Sequence, residues 1–269
     1  MSIEAPVMEA VLTPSEGEAS PYTPIEIDYT NIITEDDTPV DNLFSERQQR
    51  LLADSLYTSW HAAGAVHPFL AMTNVGLFFA LSTPPYVPDA LVSLDVRPPD
   101  NPFPKKNRSY FIWEYGKPPE IVIEIVSNRK GGELDEKLDG YARLGVTYYI
   151  VYDPELLLTQ QALYVFARRD LRFVQISPDT LPGIGLGVTL WEGEYEDLSG
   201  TWLRWIDSEG NLLLTGKERA EQERQRAEQE RQRAEQERQR AEQERQRAEA
   251  LAAKLRELGI DPNQATSGG

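Results

Sequence analysis

Short apolar runs, broken by proline and glycine, divide residues 22–216 into alternating strand-like and helix-like segments. The predicted order is a helix at 42–60, strands at 74–81, 86–94 and 121–126, a helix at 133–144, a strand at 148–152 and a hairpin at 163–176 that turns near Arg169 and Asp170. This order predicts an α/β fold with a mixed sheet and flanking helices. Residues 121–152 are expected to form a right-handed strand–helix–strand crossover.

The first predicted helix carries a capping signal. Ser45 is followed three residues later by Gln48, which is the spacing of a capping box. Ser45 is therefore predicted to be the N-cap of this helix.

Composition changes sharply at both ends of the chain. Residues 1–21 are acidic and rich in small residues, which predicts a disordered N-terminus. The heptad Arg-Ala-Glu-Gln-Glu-Arg-Gln repeats four times over 219–246. Because these residues are strong helix formers, 217–258 should form one charged helix of about 60 Å. Residues 259–269 are predicted to be a disordered tail, which leaves 22–216 as one folded domain.

The heptad helix offers little apolar surface. Alanine is the one apolar residue of each heptad. A short and more apolar stripe near the end of the helix consists of Leu251, Leu255 and Leu258. A seam with one alanine per heptad buries too little surface for a strong coiled coil. Two interpretations of the helix fit this pattern, a solvated spacer and a helix for weak self-association.

The residue types present limit the chemistry. There is no cysteine and there are only two histidines, His61 and His67, so a metal would bind oxygen ligands. No run approaches the roughly 18 apolar residues of a membrane span. The acidic N-terminus lacks the basic-then-apolar order of a secretion signal, so a cytoplasmic protein is expected.

The net charge of −17 is unevenly distributed. Residues 1–45 contain ten acidic residues and no basic residue, whereas twelve of each balance after residue 216. The segment 46–216 has 15 basic and 22 acidic residues, which gives −7. Such a charge argues against general nucleic-acid binding, which phosphate neutralisation drives, but it permits a local basic strip.

Glu124 is the one polar residue in the run 121–126. Strand alternation places it on one face with Val122 and Val126, opposite three isoleucines. A carboxylate in that position loses solvation unless it is paired or bound to a metal. The alternative is a glutamate on the exposed face of an edge strand, or one in a structural ion pair.

Lys137 has an unexpected position on the following helix. At about 100° per residue it lies inside the apolar stripe of Leu134, Leu138 and Tyr141, while four other charged residues lie on the opposite side. An inward lysine after a strand with an inward carboxylate could pair with that carboxylate and form a site. The alternative is a lysine whose long stem carries its charge out to solvent.

Pro88 and Asp89 lie near the beginning of the strand predicted at 86–94. Aspartate disfavours strands and proline is confined to their edges and beginnings, so Asp89 marks either a special position or a plain turn. Asp89, Glu124 and Lys137 would together supply two oxygen ligands for Mg²⁺ or Mn²⁺ and one fixed positive charge. That combination suits the hydrolysis of a phosphodiester bond.

The order and spacing of these pieces resemble a known family. Pro-Asp at 88–89, EIVIEIVSN at 120–128, Asp135-x-Lys137, Tyr141, Gly145-Val146 and YYIVYDP at 148–154 resemble the Uma2 family of restriction endonucleases. That family belongs to the PD-(D/E)xK nuclease superfamily. The resemblance spans roughly residues 25–205 and implies a restriction-endonuclease-like domain over 22–216 that acts on DNA.

The resemblance also implies roles for individual residues. Asp89 and Glu124 would bind the metal. Lys137 would replace the motif lysine, because the usual position two residues after the glutamate is Val126 here. Glu46 would match the acidic residue that such nucleases place on the first helix, or it is a first-turn glutamate favoured by the helix dipole.

Basic residues cluster in two predicted loops, and they would either contact DNA phosphates beside the site or carry solvated loop charges. They are Arg97, Lys105, Lys106 and Arg108 in one loop, and Arg129 and Lys130 in the other. The sequence therefore predicts a Mg²⁺- or Mn²⁺-dependent DNA endonuclease. The alternatives are a catalytically silent scaffold that binds partners through the C-terminal helix and a structural coiled-coil protein. A homo-oligomer, through the core or the helix, is compatible with each.

Overall fold

The computed structural model describes residues 28–29, 42–60, 68–128 and 132–258. The chain divides into two compact units, Met1–Ile33 and Thr34–Gly269, and every helix and strand described below belongs to the second unit. The segments predicted to be disordered, 1–21 and 259–269, lie outside the described residues. The predicted domain limits of 22–216 stay a prediction.

A six-stranded sheet forms the centre of the described structure. Its strands, in spatial order, are β1 (Phe69–Thr73), β3 (Ala90–Leu94), β5 (Ile121–Ile125), β6 (Tyr148–Tyr152), β7 (Leu163–Arg169) and β8 (Arg172–Gln175). Within this sheet β5 and β6 pair in parallel, and all other neighbours are antiparallel. The predicted mixed α/β architecture is therefore confirmed.

The remaining elements flank this sheet or extend from it. Helix α1 (Leu43–Ser55) continues into a π-helical turn (Leu56–Trp60), and short helical turns occur at Lys105–Asn107 and at α2 (Ile112–Tyr115). Helix α3 (Glu136–Leu144) connects β5 to β6, and α4 (Gly216–Glu257) is the long C-terminal helix. Two smaller sheets pair β2 (Leu77–Phe78) with β4 (Tyr110–Phe111) and β9 (Leu186–Tyr195) with β10 (Leu198–Asp207).

The two faces of β5 pack into different cores. Ile121, Ile123 and Ile125 belong to a core that also contains residues of α1, β9 and β10. Val122 and Val126 belong to a second core, which contains the inward side of α3. The alternation predicted for this strand is confirmed, and it turns Glu124 towards α3.

The start of α1 differs from the prediction. Asn42 is the N-cap, since its side chain accepts a hydrogen bond from Ser45 N at 2.9 Å. Gln48 is fully buried; its Nε2 donates to Leu203 O at 2.8 Å and its Oε1 accepts from Leu203 N at 2.9 Å. The prediction of Ser45 as N-cap is wrong because Asn42 caps the same turn, and Gln48 instead fixes α1 to β10.

Several segments depart from the predicted pattern of strands, and β1 and β4 were not predicted at all. The strand predicted at 74–81 is wrong over most of its length, since only Leu77–Phe78 forms a named strand and Asn74 has a positive φ of 53°. The β9–β10 hairpin is absent from the predicted order, although its strands pair over ten residues. Glu196 and Asp197 join these strands with φ values of 48° and 65°, as in the tight turns that match hairpin twist.

Helix α4 confirms the predicted long charged helix. It has 42 residues and is therefore about 63 Å long. Arg204 of β10, only 1% exposed, donates to both carboxylate oxygens of Glu218 at 2.9 and 2.8 Å. Glu218 also forms a capping box with Thr215, and Arg219 donates to Thr58 O at 2.8 Å. The first turn is thus fixed to the core, whereas every side chain from 222 to 250 is exposed.

None of the helices in the described part of the chain combines the length and apolar character needed to cross a membrane.

Candidate active site

Two acidic residues lie at the same end of the central sheet. Asp89 immediately precedes β3, and Glu124 is near the end of β5. Since β3 and β5 are antiparallel, with Ala90 opposite Ile123, the start of one strand lies beside the end of the other. The Asp89 carboxylate bridges this junction, because its Oδ2 accepts a hydrogen bond from Ile125 N at 2.6 Å.

Glu124 is buried at the centre of the sheet. Strand β5 lies between β3 and β6, and Glu124 is 3% exposed. Its Oε1 accepts a hydrogen bond from the Tyr141 hydroxyl at 2.7 Å, and its Oε2 accepts one from Lys137 Nζ at 2.8 Å. The alternative of a glutamate on the exposed face of an edge strand is therefore wrong, and the inward lysine meets the inward carboxylate.

Helix α3 presents Lys137 and Tyr141 on one face, one turn apart. Gly140 allows this helix to approach the segment before β3, because a Cβ at that position would lie 2.0 Å from the Tyr86 hydroxyl. The rings of Tyr86 and Tyr141 pack with their centroids 4.7 Å apart. A helical glycine costs roughly 1 kcal/mol relative to alanine, so the glycine is explained by this close approach.

The charges of the site are only partly balanced. Burial raises the pKa of Glu124 to about 7; the positive charge of Lys137 opposes the rise and the negative charge of Asp89 adds to it. Burial lowers the pKa of Lys137, but the charge of Glu124, its hydrogen bond and the charges of Glu133 and Asp89 together outweigh burial and leave that pKa above its usual value. Burial and the Glu124 charge raise the pKa of Tyr141 well above its usual range, so its hydroxyl remains a donor.

Helix α1 contributes an amide to the site. Gln49 is 6% exposed, and its Nε2 donates a hydrogen bond to Asp89 Oδ1 at 2.8 Å. Glu46, the residue that the sequence predicts here, is ion-paired with Arg50 one turn further along α1. Sequence reasoning missed Gln49 because a neutral amide on an amphipathic helix carries no charge that contradicts the helical pattern.

A third acidic residue, Glu133, was also missed. It lies in the turn that precedes α3 and is 6% exposed. Its Oε1 lies 3.5 Å from Lys137 Nζ, and its backbone carbonyl accepts a hydrogen bond from the Tyr149 hydroxyl at 3.0 Å. The sequence signal that could have identified Glu133 is its position four residues before Lys137, the inward lysine.

The four described basic residues that were predicted to contact DNA follow the end of β3 that is remote from the proposed site. Arg97 follows the end of β3 that is remote from Asp89, and five strand residues separate the ends of β3 by roughly 17 Å. The loop that continues from this far end contains Lys105, Lys106 and Arg108. Arg129 and Lys130 lie outside the described residues. All six contacts stay predictions.

The donor set suits one hard divalent cation. Within the described ranges, no three Asp, Glu, His or Cys side chains converge on a common cation position. Mg²⁺ is commonly held by one or two carboxylates and retains several waters, so Asp89 and Glu124 would suffice. The charge of Asp89 raises the pKa of Glu124, and a cation between the two carboxylates would relieve that repulsion.

A mixed sheet with two carboxylates and a lysine at one end is the arrangement that the predicted nuclease site requires. The comparison with protein families agrees, since residues 26–189, more than half of the chain, match the Uma2 family, described as "Putative restriction endonuclease". The chain belongs to the Uma2 family, which supports a nuclease role in general terms. A comparison with curated proteins gave no match.

Proposed function

We propose that this protein is a DNA endonuclease that requires Mg²⁺ or Mn²⁺ and hydrolyses phosphodiester bonds at Asp89, Glu124 and Lys137. The observation that carries the proposal is the buried Glu124 carboxylate, which shares one end of the sheet with a second carboxylate and a lysine. DNA as the substrate follows from the description of the family.

Asp89 and Glu124 are the proposed ligands of the cation. When bound, such a cation lowers the pKa of a water molecule and stabilises negative charge on the reacting phosphate. Gln49 and Ile125 N fix the two oxygens of Asp89, and Tyr141 fixes one oxygen of Glu124. These donors orient the carboxylates before any substrate arrives, which is how supporting hydrogen bonds tune metal ligands.

Lys137 is the proposed cationic group of the site. Its side chain is 27% exposed, so the ammonium lies between the buried Glu124 and solvent, from which a phosphate would approach. A fixed positive charge there would orient the attacking water or neutralise charge on the phosphate oxygens in the transition state. Its raised pKa keeps this group charged at neutral pH.

The test is nicking of supercoiled plasmid DNA by the purified full chain with Mg²⁺, Mn²⁺ or neither. Cleavage should need the metal and should be lost in Glu124→Gln. The matched control is Asp139→Asn, which changes the same charge on the exposed side of α3 and should remain active. Cleavage that survives in Glu124→Gln, or no cleavage with either metal, would contradict the proposal.

One observation favours a second candidate, a structural coiled-coil protein. Helix α4 has no buried residue in its 42 positions, a large surface that the proposed chemistry does not use. A chain shortened after Gln225 keeps Glu218 and Arg219, which fix the helix to the core. If α4 mediates self-association, light scattering should give a mass that rises with concentration for the full chain and stays constant for the shortened one. A full chain whose mass stays constant as the concentration rises, like that of the shortened chain, would exclude self-association through α4.

A further inference from the structure

Glu133 has an unsatisfied oxygen beside the proposed site. The residue is 6% exposed, and its buried Oε2 has no hydrogen-bond partner among the residues that the structure describes. Its Oε1 is 3.5 Å from Lys137 Nζ, which is an ion pair at the long end of the range. A buried carboxylate oxygen without a donor is unfavourable, so this one indicates an acceptor that is used in another arrangement.

Lys137 is a donor beside Glu133, since its Nζ lies 3.5 Å from the other oxygen of that carboxylate, Oε1. Its ammonium has three protons on a flexible stem, and its short hydrogen bond goes to Glu124 Oε2 at 2.8 Å. Glu124 therefore offers the ammonium one well-placed acceptor, while Glu133 offers one distant oxygen and one unused oxygen. A modest swing of the lysine would exchange the first acceptor for the other two.

The proposed cation and the lysine compete for the same carboxylate. Both are attracted by Glu124 Oε2, and two positive groups on one oxygen repel each other. Without a second acceptor, Lys137 would either oppose cation binding or leave the site for solvent. Glu133 lies four residues before Lys137 and offers its ammonium a second negatively charged acceptor.

We propose that Glu133 is a positioning residue that accepts the Lys137 ammonium when Glu124 gives its oxygen to the divalent cation. This inference rests on the proposed function, because it assumes a cation at Asp89 and Glu124. Glu133 then holds the charged ammonium of Lys137 close to the reacting phosphate, and the Glu124 oxygen becomes available to the cation. Glu133 acts through Lys137 and does not itself hold the cation.

The experiment is a double-mutant cycle read by calorimetric titration of Mn²⁺ into the full chain without DNA. The variants are Glu133→Gln, Lys137→Met and the double variant, with Glu136→Gln as a control for charge on the exposed part of α3. The hydrogen bond from Tyr149 goes to the backbone of Glu133 and is kept in every variant. Urea unfolding verifies that each variant is folded.

We expect Glu133→Gln to weaken Mn²⁺ binding about tenfold, because groups that support metal ligands typically contribute this much. In the Lys137→Met background the same substitution should change nothing, since no ammonium remains to be placed. Weakening by the same factor in both backgrounds would overturn the inference and make Glu133 a direct ligand. Unchanged binding in Glu133→Gln would also overturn it.

Failure of the proposed function would give a different result. If the wild-type chain binds no Mn²⁺, the cation site itself is wrong and the inference falls with it. If the wild-type binds Mn²⁺ but the cycle shows no coupling between Glu133 and Lys137, the site stands and only the inference fails.

Discussion

Strand β5 has a glutamate–lysine pair at each end, and the two pairs differ in their surroundings. Glu120, just before the strand, is paired with Lys117, and its Oε2 accepts a hydrogen bond from Leu94 N at 2.7 Å. Glu124, near the other end, is paired with Lys137 of α3. The Glu120 side chain is 22% exposed, against 4% for that of Glu124. The same two residue types thus occupy a surface turn and a buried site.

The surroundings of the two pairs distinguish a candidate site from a structural ion pair. Glu120 and Lys117 are three residues apart in one turn, and a backbone N–H satisfies the glutamate further. Burial and, to a smaller extent, the nearby negative charge of Asp89 raise the pKa of Glu124, and its lysine comes from a separate helix. Burial together with a second carboxylate therefore marks the site, because a folded chain gains no stability from placing like charges together.

The largest effect is expected when the two glutamates are exchanged for glutamine separately. Glu124→Gln removes a proposed cation ligand and should lower the metal-dependent nicking of plasmid by on the order of 10²–10³-fold, the loss that is typical when one group that stabilises transition-state charge is removed. Glu120→Gln should leave the nicking rate unchanged and affect only stability. Similar rates for the two variants would mean that the buried pair is structural as well.

The next effect concerns stability and the two lysines. Lys137→Met leaves the buried Glu124 without its charged partner, and such a change typically costs about 3–5 kcal/mol; protonation of Glu124 would relieve part of this. Lys117→Met breaks an ion pair nearer to solvent, worth about 0–1 kcal/mol. Urea unfolding at neutral pH measures both, and equal losses in the two variants would show that the ends of β5 are energetically alike.

The sequence could predict the parts of the site that arise from local periodicity. Glu124 interrupts an apolar strand and Lys137 interrupts an apolar helical stripe, and the two lie within one strand–helix unit, so their contact follows from short-range geometry. Asp89 required in addition the antiparallel pairing of β3 with β5. The mixed sheet could also be predicted, because local periodicity gives the order of strands and helices along the chain.

The sequence could not predict contacts that depend on distant packing. Gln49 meets Asp89 across 40 residues, and Gln48 meets Leu203 across 155. Neither amide carries a charge that would stand out on α1, and Gln48 fits a capping-box spacing equally well. Only the folded arrangement of α1 against the sheet and β10 determines which use each amide has.

A smaller effect is expected from the amide that orients Asp89. Gln49→Leu removes the hydrogen bond to Asp89 Oδ1 but keeps the apolar volume, and it should weaken Mn²⁺ binding about 10–100-fold, as loss of a ligand's supporting contact does. Glu46→Gln, on the same helix, is the comparison and should bind Mn²⁺ as the wild type does. Calorimetric titration distinguishes them; a loss in Glu46→Gln alone would restore the role that the sequence predicts for Glu46.

The smallest effect is the pH dependence of a third ion pair, between Arg204 and Glu218 at the base of α4. Burial raises the pKa of Glu218, but the hydrogen bonds and charge of Arg204 together with the hydrogen bonds from Thr215 outweigh burial and leave that pKa below its usual value. A lowered pKa in the folded state means that the pair contributes stability above the unfolded pKa. That contribution is lost as the pH falls through the folded pKa.

Urea unfolding between about pH 5 and pH 3 should therefore show a steeper loss of stability in the wild type than in Glu218→Gln. Glu223→Gln, an exposed change on the same helix, should retain the wild-type slope. The fold favours the ionised form of Glu218, in contrast to Glu124. Because Glu218 lies at the base of α4 and outside the proposed site, its removal should leave plasmid nicking intact. Parallel slopes for wild type and Glu218→Gln would show that the pair does not control how α4 is fixed to the core.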